Sequence, residues 1–157
     1  EALLPVLYRR LDGKMDAWAA TVWRGRIKSG AADDGSALRA VLRRLVVAHV
    51  RFYRDNAPIL RTLYLQVRLD GELANPAVAT RRRDLYQTLL EPVWDALKAA
   101  GWPVPTPSRA KCFVLLLLAP MTERCLFPDN TPASTLTMSD RQFVAELTEA
   151  LYRYLSP

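Results

Sequence analysis

The sequence predicts an all-α protein built as one domain of six helices. Leu, Ala and Arg are abundant, and all three residue types favour helices. Apolar residues recur at steps of three and four along most of the chain, which is the spacing of one helical face. Alternating Val, Ile and Thr runs of the kind that form strands do not occur. The 157 residues are half apolar, so one domain can bury a substantial core.

The first three predicted helices cover 1–28, 36–54 and 57–69. The first carries one apolar face, formed by Leu4, Tyr8, Leu11, Met15, Trp18 and Val22. The glycine-containing loop SGAADDG ends it, and Ser36 is the expected N-cap of the second helix. Asn56-Ala-Pro58 then interrupts the chain before the third helix begins.

The fourth predicted helix, 75–100, begins at Asn75-Pro76 and stops before Gly101. Its apolar residues are spread around most of its circumference, whereas a surface helix would carry a single apolar stripe. Pro92 lies in its interior, where proline removes a hydrogen bond and favours a kink. The sequence therefore predicts a buried, kinked central helix here.

The last two predicted helices, 109–127 and 140–155, start after the expected caps Ser108 and Ser139 or Asp140. The stretch Cys112–Met121 is apolar on every side, and the final helix shows two apolar faces. Two such helices from each of two chains could form a four-helix bundle across a two-fold axis. We therefore predict a homodimer whose interface contains Phe113, Leu116, Leu117, Met121, Phe143, Leu147, Leu151 and Tyr154.

Composition and motifs exclude several classes of protein. The net charge of +6 comes largely from scattered arginines, which we interpret as solvated helix faces. Cys112 and Cys125 are interpreted as buried, reduced thiols. The longest apolar run has about half the length that a bilayer requires. Zinc, phosphate-loop and nucleophile-elbow motifs are absent from the sequence, so we predict a binding domain rather than an enzyme, without cofactor or metal.

A cluster of aromatic and apolar residues on the first four helices predicts an internal pocket for an apolar or aromatic small molecule. Each residue taken alone is better explained by ordinary core packing, so the prediction depends on the cluster. His49, the single histidine, is either a core residue bonded to a carbonyl or Tyr, or a polar anchor for the ligand. Glu91, Asp95 and Glu123 leave a cationic ligand open as well as a neutral one. The predicted pocket residues are Trp18, Val22, His49, Phe52, Tyr53, Tyr64, Tyr86, Leu89 and Trp94.

The order of these segments resembles the C-terminal, ligand-binding half of TetR-family transcriptional regulators. Four segments carry the resemblance: the opening Glu1-Ala-Leu-Leu-Pro-Val-Leu; Ala57-Pro-Ile-Leu-Arg-Thr-Leu63; Asp70-Gly-Glu-Leu-Ala-Asn-Pro76 followed by Arg81-Arg-Arg-Asp-Leu85 and Ala99-Ala-Gly101; and the terminal Phe143 to Leu155. These motifs are loose individually, but together they span nearly the whole chain.

The resemblance implies a cytoplasmic bacterial regulator, of the repressor type, with a DNA-binding helix-turn-helix before Glu1. It implies further that ligand binding moves the first helix and so changes the spacing of two DNA-binding heads on operator DNA. The alternative is a stand-alone helical module that binds a protein partner or a small molecule without binding DNA.

Overall fold

The computed structural model describes residues 3–25, 35–70, 76–129, 135 and 137–157. Within these ranges the chain is all-helical and has no strand, which confirms the predicted fold class. The six helices are α1 Leu3–Val22, α2 Ser36–Asp55, α3 Ala57–Asp70, α4 Pro76–Ala99, α5 Pro107–Met121 and α6 Asp140–Leu155. After Met121 the backbone continues as a π-helical turn, Thr122–Leu126. The first helix ends at Val22, so its predicted continuation through 23–25 was wrong, and its predicted end at 26–28 lies outside the described residues.

The helix starts show which local signals were interpreted correctly. Ser139 caps α6 with a full capping box, in which Gln142 N–H donates to Ser139 Oγ and Ser139 N–H donates to the Gln142 side chain. The expected cap Ser108 was wrong, because Thr106 accepts from Arg109 N–H and a proline follows it at the first helical position. Ser36 is likewise the first residue of α2 and not its cap.

The helix at the centre of the fold is α2, which contacts every other helix and the π-helical turn. Its buried face runs along its whole length through Leu38, Val41, Leu42, Leu45, Val46, His49, Val50, Phe52 and Tyr53. The predicted enclosure of α4 was wrong, because Leu89, Leu90, Val93 and Leu97 form one buried stripe and the opposite face is exposed. Alanines contributed to the apolar pattern of α4 in the sequence, and alanine is compatible with an exposed position on a helix.

The two C-terminal helices contribute much of their apolar surface to the core of their own chain. Of the eight residues predicted for a dimer interface, five are buried within this chain: Phe113, Leu117, Met121, Leu147 and Leu151. Phe143 and Tyr154 are half-buried. Leu116 is 40% exposed and its neighbour Leu115 is 64% exposed. These two leucines lie with Cys112 on a solvent-facing stripe that we call the outer face of α5.

The cysteines and the helix lengths complete the fold. Both cysteines are free thiols; Cys125 is buried as expected, whereas Cys112 is exposed, which corrects that part of the prediction. Among the described helices, none has the length and apolar character needed to cross a membrane. The packing of α1, α3, α4 and α5 around α2 defines where a cavity can form.

Candidate ligand-binding site

A cavity of about 70 Å³ lies among α1, α2, α3, α4 and α5, and it is partly open to solvent. Its wall has two kinds of residue. The apolar part consists of Leu11, Met15, Trp18, Phe52, Leu60 and Leu118. The polar part consists of His49, Tyr53, Tyr64, Arg82 and Tyr86. An apolar wall with a few convergent polar groups is the usual composition of a small-molecule site.

Six of the nine predicted pocket residues line this cavity together: Trp18, His49, Phe52, Tyr53, Tyr64 and Tyr86. The other three lie elsewhere in the core. Leu89 O accepts a hydrogen bond from Trp23 Nε1 at 3.1 Å. Trp94 packs edge-on against Phe113, with ring centroids 5.7 Å apart. Val22 is buried near the end of α1, outside the wall. The binding roles themselves stay predictions.

Trp18 joins α1 to α2 at the apolar side of the cavity. Its ring meets His49 edge-on at a centroid distance of 4.8 Å and lies against Phe52 at 4.9 Å. Its Nε1–H donates to Ala48 O at 3.2 Å. A half-buried indole with its N–H bonded in this way is held in one orientation. The position of α1 and the shape of the cavity therefore depend on the same side chain.

His49 is buried on α2 with both ring nitrogens engaged. Nδ1 lies 2.8 Å from Leu45 O, and Nε2 lies 3.3 Å from the Tyr86 hydroxyl. Burial lowers the pKa of His49 to about 4, and the hydrogen bond to Leu45 O opposes only part of that decrease. The ring is therefore neutral at pH 7. Because a carbonyl only accepts, Nδ1 carries the proton, and Nε2 accepts from the Tyr86 hydroxyl.

The hydroxyls of Tyr53, Tyr64 and Thr122 form a second polar chain. The two tyrosine hydroxyls lie 3.4 Å apart, and Thr122 Oγ1 lies 3.2 Å from both the Tyr64 hydroxyl and Leu118 O. Since Leu118 O only accepts, the single Thr122 proton can serve it while Tyr64 donates to Thr122. Burial raises the pKa of Tyr53, so its phenol stays neutral. Thr122 belongs to the π-helical turn, an element that often occurs at functional sites.

Arg82 is the charged residue of the cavity wall, and sequence reasoning missed it. Its Nε–H is buried and has no hydrogen-bond partner. Among the described residues it also makes no ion pair, whereas its neighbour Arg81 pairs with Asp12 at 3.7 Å and with Asp16. The positive charge of Arg82 partly opposes the rise that burial causes in the pKa of Tyr86. Both residues therefore belong to one polar end of the cavity.

Carboxylates are absent from the described wall of the cavity. Glu91, Asp95 and Glu123, which left a cationic ligand open, are all exposed. The described residues also hold no cluster of three or more potential metal ligands. The wall therefore offers one fixed positive charge, neutral hydroxyls and a neutral imidazole.

Searches with this chain matched no protein-family model, no curated protein and no solved structure. The resemblance to TetR-family regulators therefore stays a prediction that depends on the residue patterns. The cavity and its neighbouring helices carry the functional argument.

Proposed function

We propose that this chain is the ligand-sensing and dimerisation domain of a bacterial transcriptional regulator of the TetR type. A small apolar or aromatic molecule binds among α1 to α5 and alters DNA binding by an N-terminal domain. One observation carries the proposal: six residues predicted to bind ligand, from four helices of the chain, line a single cavity. The resemblance described above supplies the connection to DNA.

The size of the cavity supports a sensor in which binding moves a helix. A drug-sized ligand occupies roughly 300–1,000 Å³, and an engineered cavity that holds benzene measures about 150 Å³. The cavity here measures about 70 Å³ and is partly open to solvent. A ligand of benzene size or larger must therefore displace part of the wall or project through the opening.

The first helix is the part of the wall best suited to move. It contributes Leu11, Met15 and Trp18, and it is joined to α4 through Arg81, which pairs with Asp12 and Asp16. Those pairs are largely solvent-exposed, and exposed ion pairs contribute little stability. The ligand shifts the equilibrium only by its difference in affinity between the two arrangements. In the proposed regulator α1 leads directly to the DNA-binding head, so its shift changes the spacing of two heads.

The outer face of α5 supports dimerisation. Leu115 and Leu116 are adjacent, exposed and apolar, and a second copy related by a two-fold axis would cover both. We expect the chain to sediment as a dimer and the double variant Leu115→Ser/Leu116→Ser to sediment as a monomer with unchanged helical content. If the wild-type chain stays monomeric at a concentration of about 100 micromolar, the proposal loses its dimer.

Blocking the cavity tests whether it binds ligand. Leu118→Trp places an indole from α5 into the cavity, and Leu65→Trp places the same indole at an exposed position of α3. With toluene as probe in titration calorimetry, we expect wild type and Leu65→Trp to bind and Leu118→Trp to lose binding. Equal binding by all three proteins would place the toluene site elsewhere.

The connection to DNA is tested by the encoding gene. We expect the codons upstream of Glu1 to encode a helix-turn-helix domain of roughly 40 to 60 residues. A start codon directly before Glu1 would remove the DNA-binding claim and favour a stand-alone small-molecule or protein-binding module.

A further inference from the structure

The charged group in the cavity narrows the chemistry of the ligand. Arg82 supplies the fixed charge of the described wall, and its buried Nε–H has no acceptor among the described residues. A buried donor without a partner costs free energy, and the cost is larger when the group is charged. A ligand that supplies an anionic acceptor at this place would remove that cost and would make a charge-assisted hydrogen bond.

We infer that the cavity binds an organic carboxylate, with its anionic end at Arg82 and its apolar remainder against the wall formed by Trp18 and Phe52. This inference deepens the proposed ligand-sensing function and rests on it. The guanidinium presents a planar fork of donors that matches the geometry of a carboxylate. The Tyr86 hydroxyl, whose pKa is raised by burial, lies at the same end of the cavity. None of the described wall residues is a carboxylate that would compete for that fork.

The neutral state of His49 is consistent with this arrangement. Its Nδ1–H is committed to Leu45 O and its Nε2 accepts from Tyr86. The imidazole therefore brings no second positive charge and presents no free donor to the ligand. Arg82 therefore provides the electrostatic attraction for an anion. Mutation of Arg82 alone should show how much this attraction contributes to ligand affinity.

The neighbouring residue Arg83 provides a matched control. Arg83 is exposed on α4 and does not line the cavity, so Arg83→Gln removes the same charge from the same helix. Arg82→Gln removes the charge from the cavity. Arg82→Lys keeps the charge but replaces the planar fork with a point charge. Circular dichroism and thermal unfolding of each variant establish that the proteins compared are folded.

The probes are pairs that differ in charge and little in shape. Benzoate is compared with benzamide and with benzylammonium. Butyrate is compared with butyramide, because these smaller ligands are closer in size to the cavity. Affinities are measured by titration calorimetry at pH 7 in about 150 mM salt, which screens exposed charges. We expect wild type and Arg83→Gln to bind each carboxylate roughly tenfold or more tightly than its amide, as a charge-assisted hydrogen bond predicts.

In Arg82→Gln we expect the preference for carboxylates over amides to disappear. In Arg82→Lys we expect this preference to be retained only in part. Equal affinities of wild type for carboxylates and amides, or a preference for benzylammonium, would overturn the anionic class while leaving a small-molecule sensor in place. A carboxylate preference that survives in Arg82→Gln would overturn the role of Arg82. Failure of every probe, including toluene, to bind wild type would overturn both this inference and the ligand-sensing proposal.

Discussion

The single histidine makes one consequence of the cavity measurable without a ligand. His49 is neutral in the folded chain because burial lowers its pKa to about 4, whereas in the unfolded chain its pKa lies near 6.5. Between these two values the unfolded chain binds a proton that the folded chain does not. By linkage, the free energy of unfolding therefore rises with pH across this interval. The contribution is fully present above about pH 6.5 and is lost as pH falls towards about 4.

The size of the effect follows from the gap between the two pKa values. One pKa unit corresponds to about 1.36 kcal/mol, so the gap between 6.5 and about 4 corresponds to about 3 kcal/mol. For a domain of ordinary stability, near 5–15 kcal/mol, that is a substantial fraction. Carboxylates also lower the free energy of unfolding as they are protonated, over a pH range that is lower than that of His49 but overlaps it. The two effects have to be distinguished by comparison with a variant that lacks the histidine.

The assay compares wild type with His49→Gln by urea unfolding at intervals from pH 7.5 to 4.5. We expect the difference in unfolding free energy between the two proteins to change by about 2–3 kcal/mol over this range, because only wild type contains the titrating imidazole. Proton NMR follows the same group directly, since the chain has one histidine. An imidazole that titrates near pH 6.5 in the folded protein would refute the buried, doubly bonded arrangement.

Two further pairs of variants test the packing around α2. Gly35 has φ 77°, and an added Cβ would lie 2.3 Å from the Tyr152 hydroxyl oxygen, so Gly35→Ala should lower the free energy of unfolding by roughly 1–3 kcal/mol. Gly13→Ala, with open space inside α1, should raise it by about 0.5–1 kcal/mol. Leu45→Ala in the core should cost about 2–5 kcal/mol, whereas Leu65→Ala at an exposed position of α3 should change it by less than about 0.5 kcal/mol. Urea unfolding measures the change in the free energy of unfolding for all four variants. Equal changes within either pair would contradict the burial described here.

The helices could be predicted because their signals are local. Apolar spacing and punctuation by glycine, proline and asparagine located all six within a few residues over the described ranges. The centrality of α2 could not be predicted in the same way. Alanine counts as apolar in a sequence pattern but is compatible with both buried and exposed positions. Ala77, Ala79 and Ala96 therefore made the sequence of α4 resemble that of a fully buried helix. Which helix is surrounded depends on tertiary packing, which no single segment encodes.

The aromatic part of the cavity was predictable because large rings on several helices tend to gather in one core. Arg82 was missed because it stands in a run of three arginines that resembles an ordinary charged surface. A signal was nevertheless present, since Arg82 precedes Tyr86 by four residues and the two residues extend the stripe of Leu89, Val93 and Leu97 by about two turns. A charged residue in register with a buried stripe is a candidate for a cavity wall.

The location of the cavity also bears on how a ligand would act. His49, Phe52 and Tyr53 belong to α2, so the helix that holds the fold together also forms one side of the cavity. Opposite them, α1 contributes Leu11, Met15 and Trp18. It is held to α2 by buried packing, including the Trp18 hydrogen bond to Ala48 O, and to α4 by more exposed ion pairs. We expect a ligand that enlarges the cavity to break the exposed α1–α4 pairs first, because repacking the core around α2 would cost more free energy.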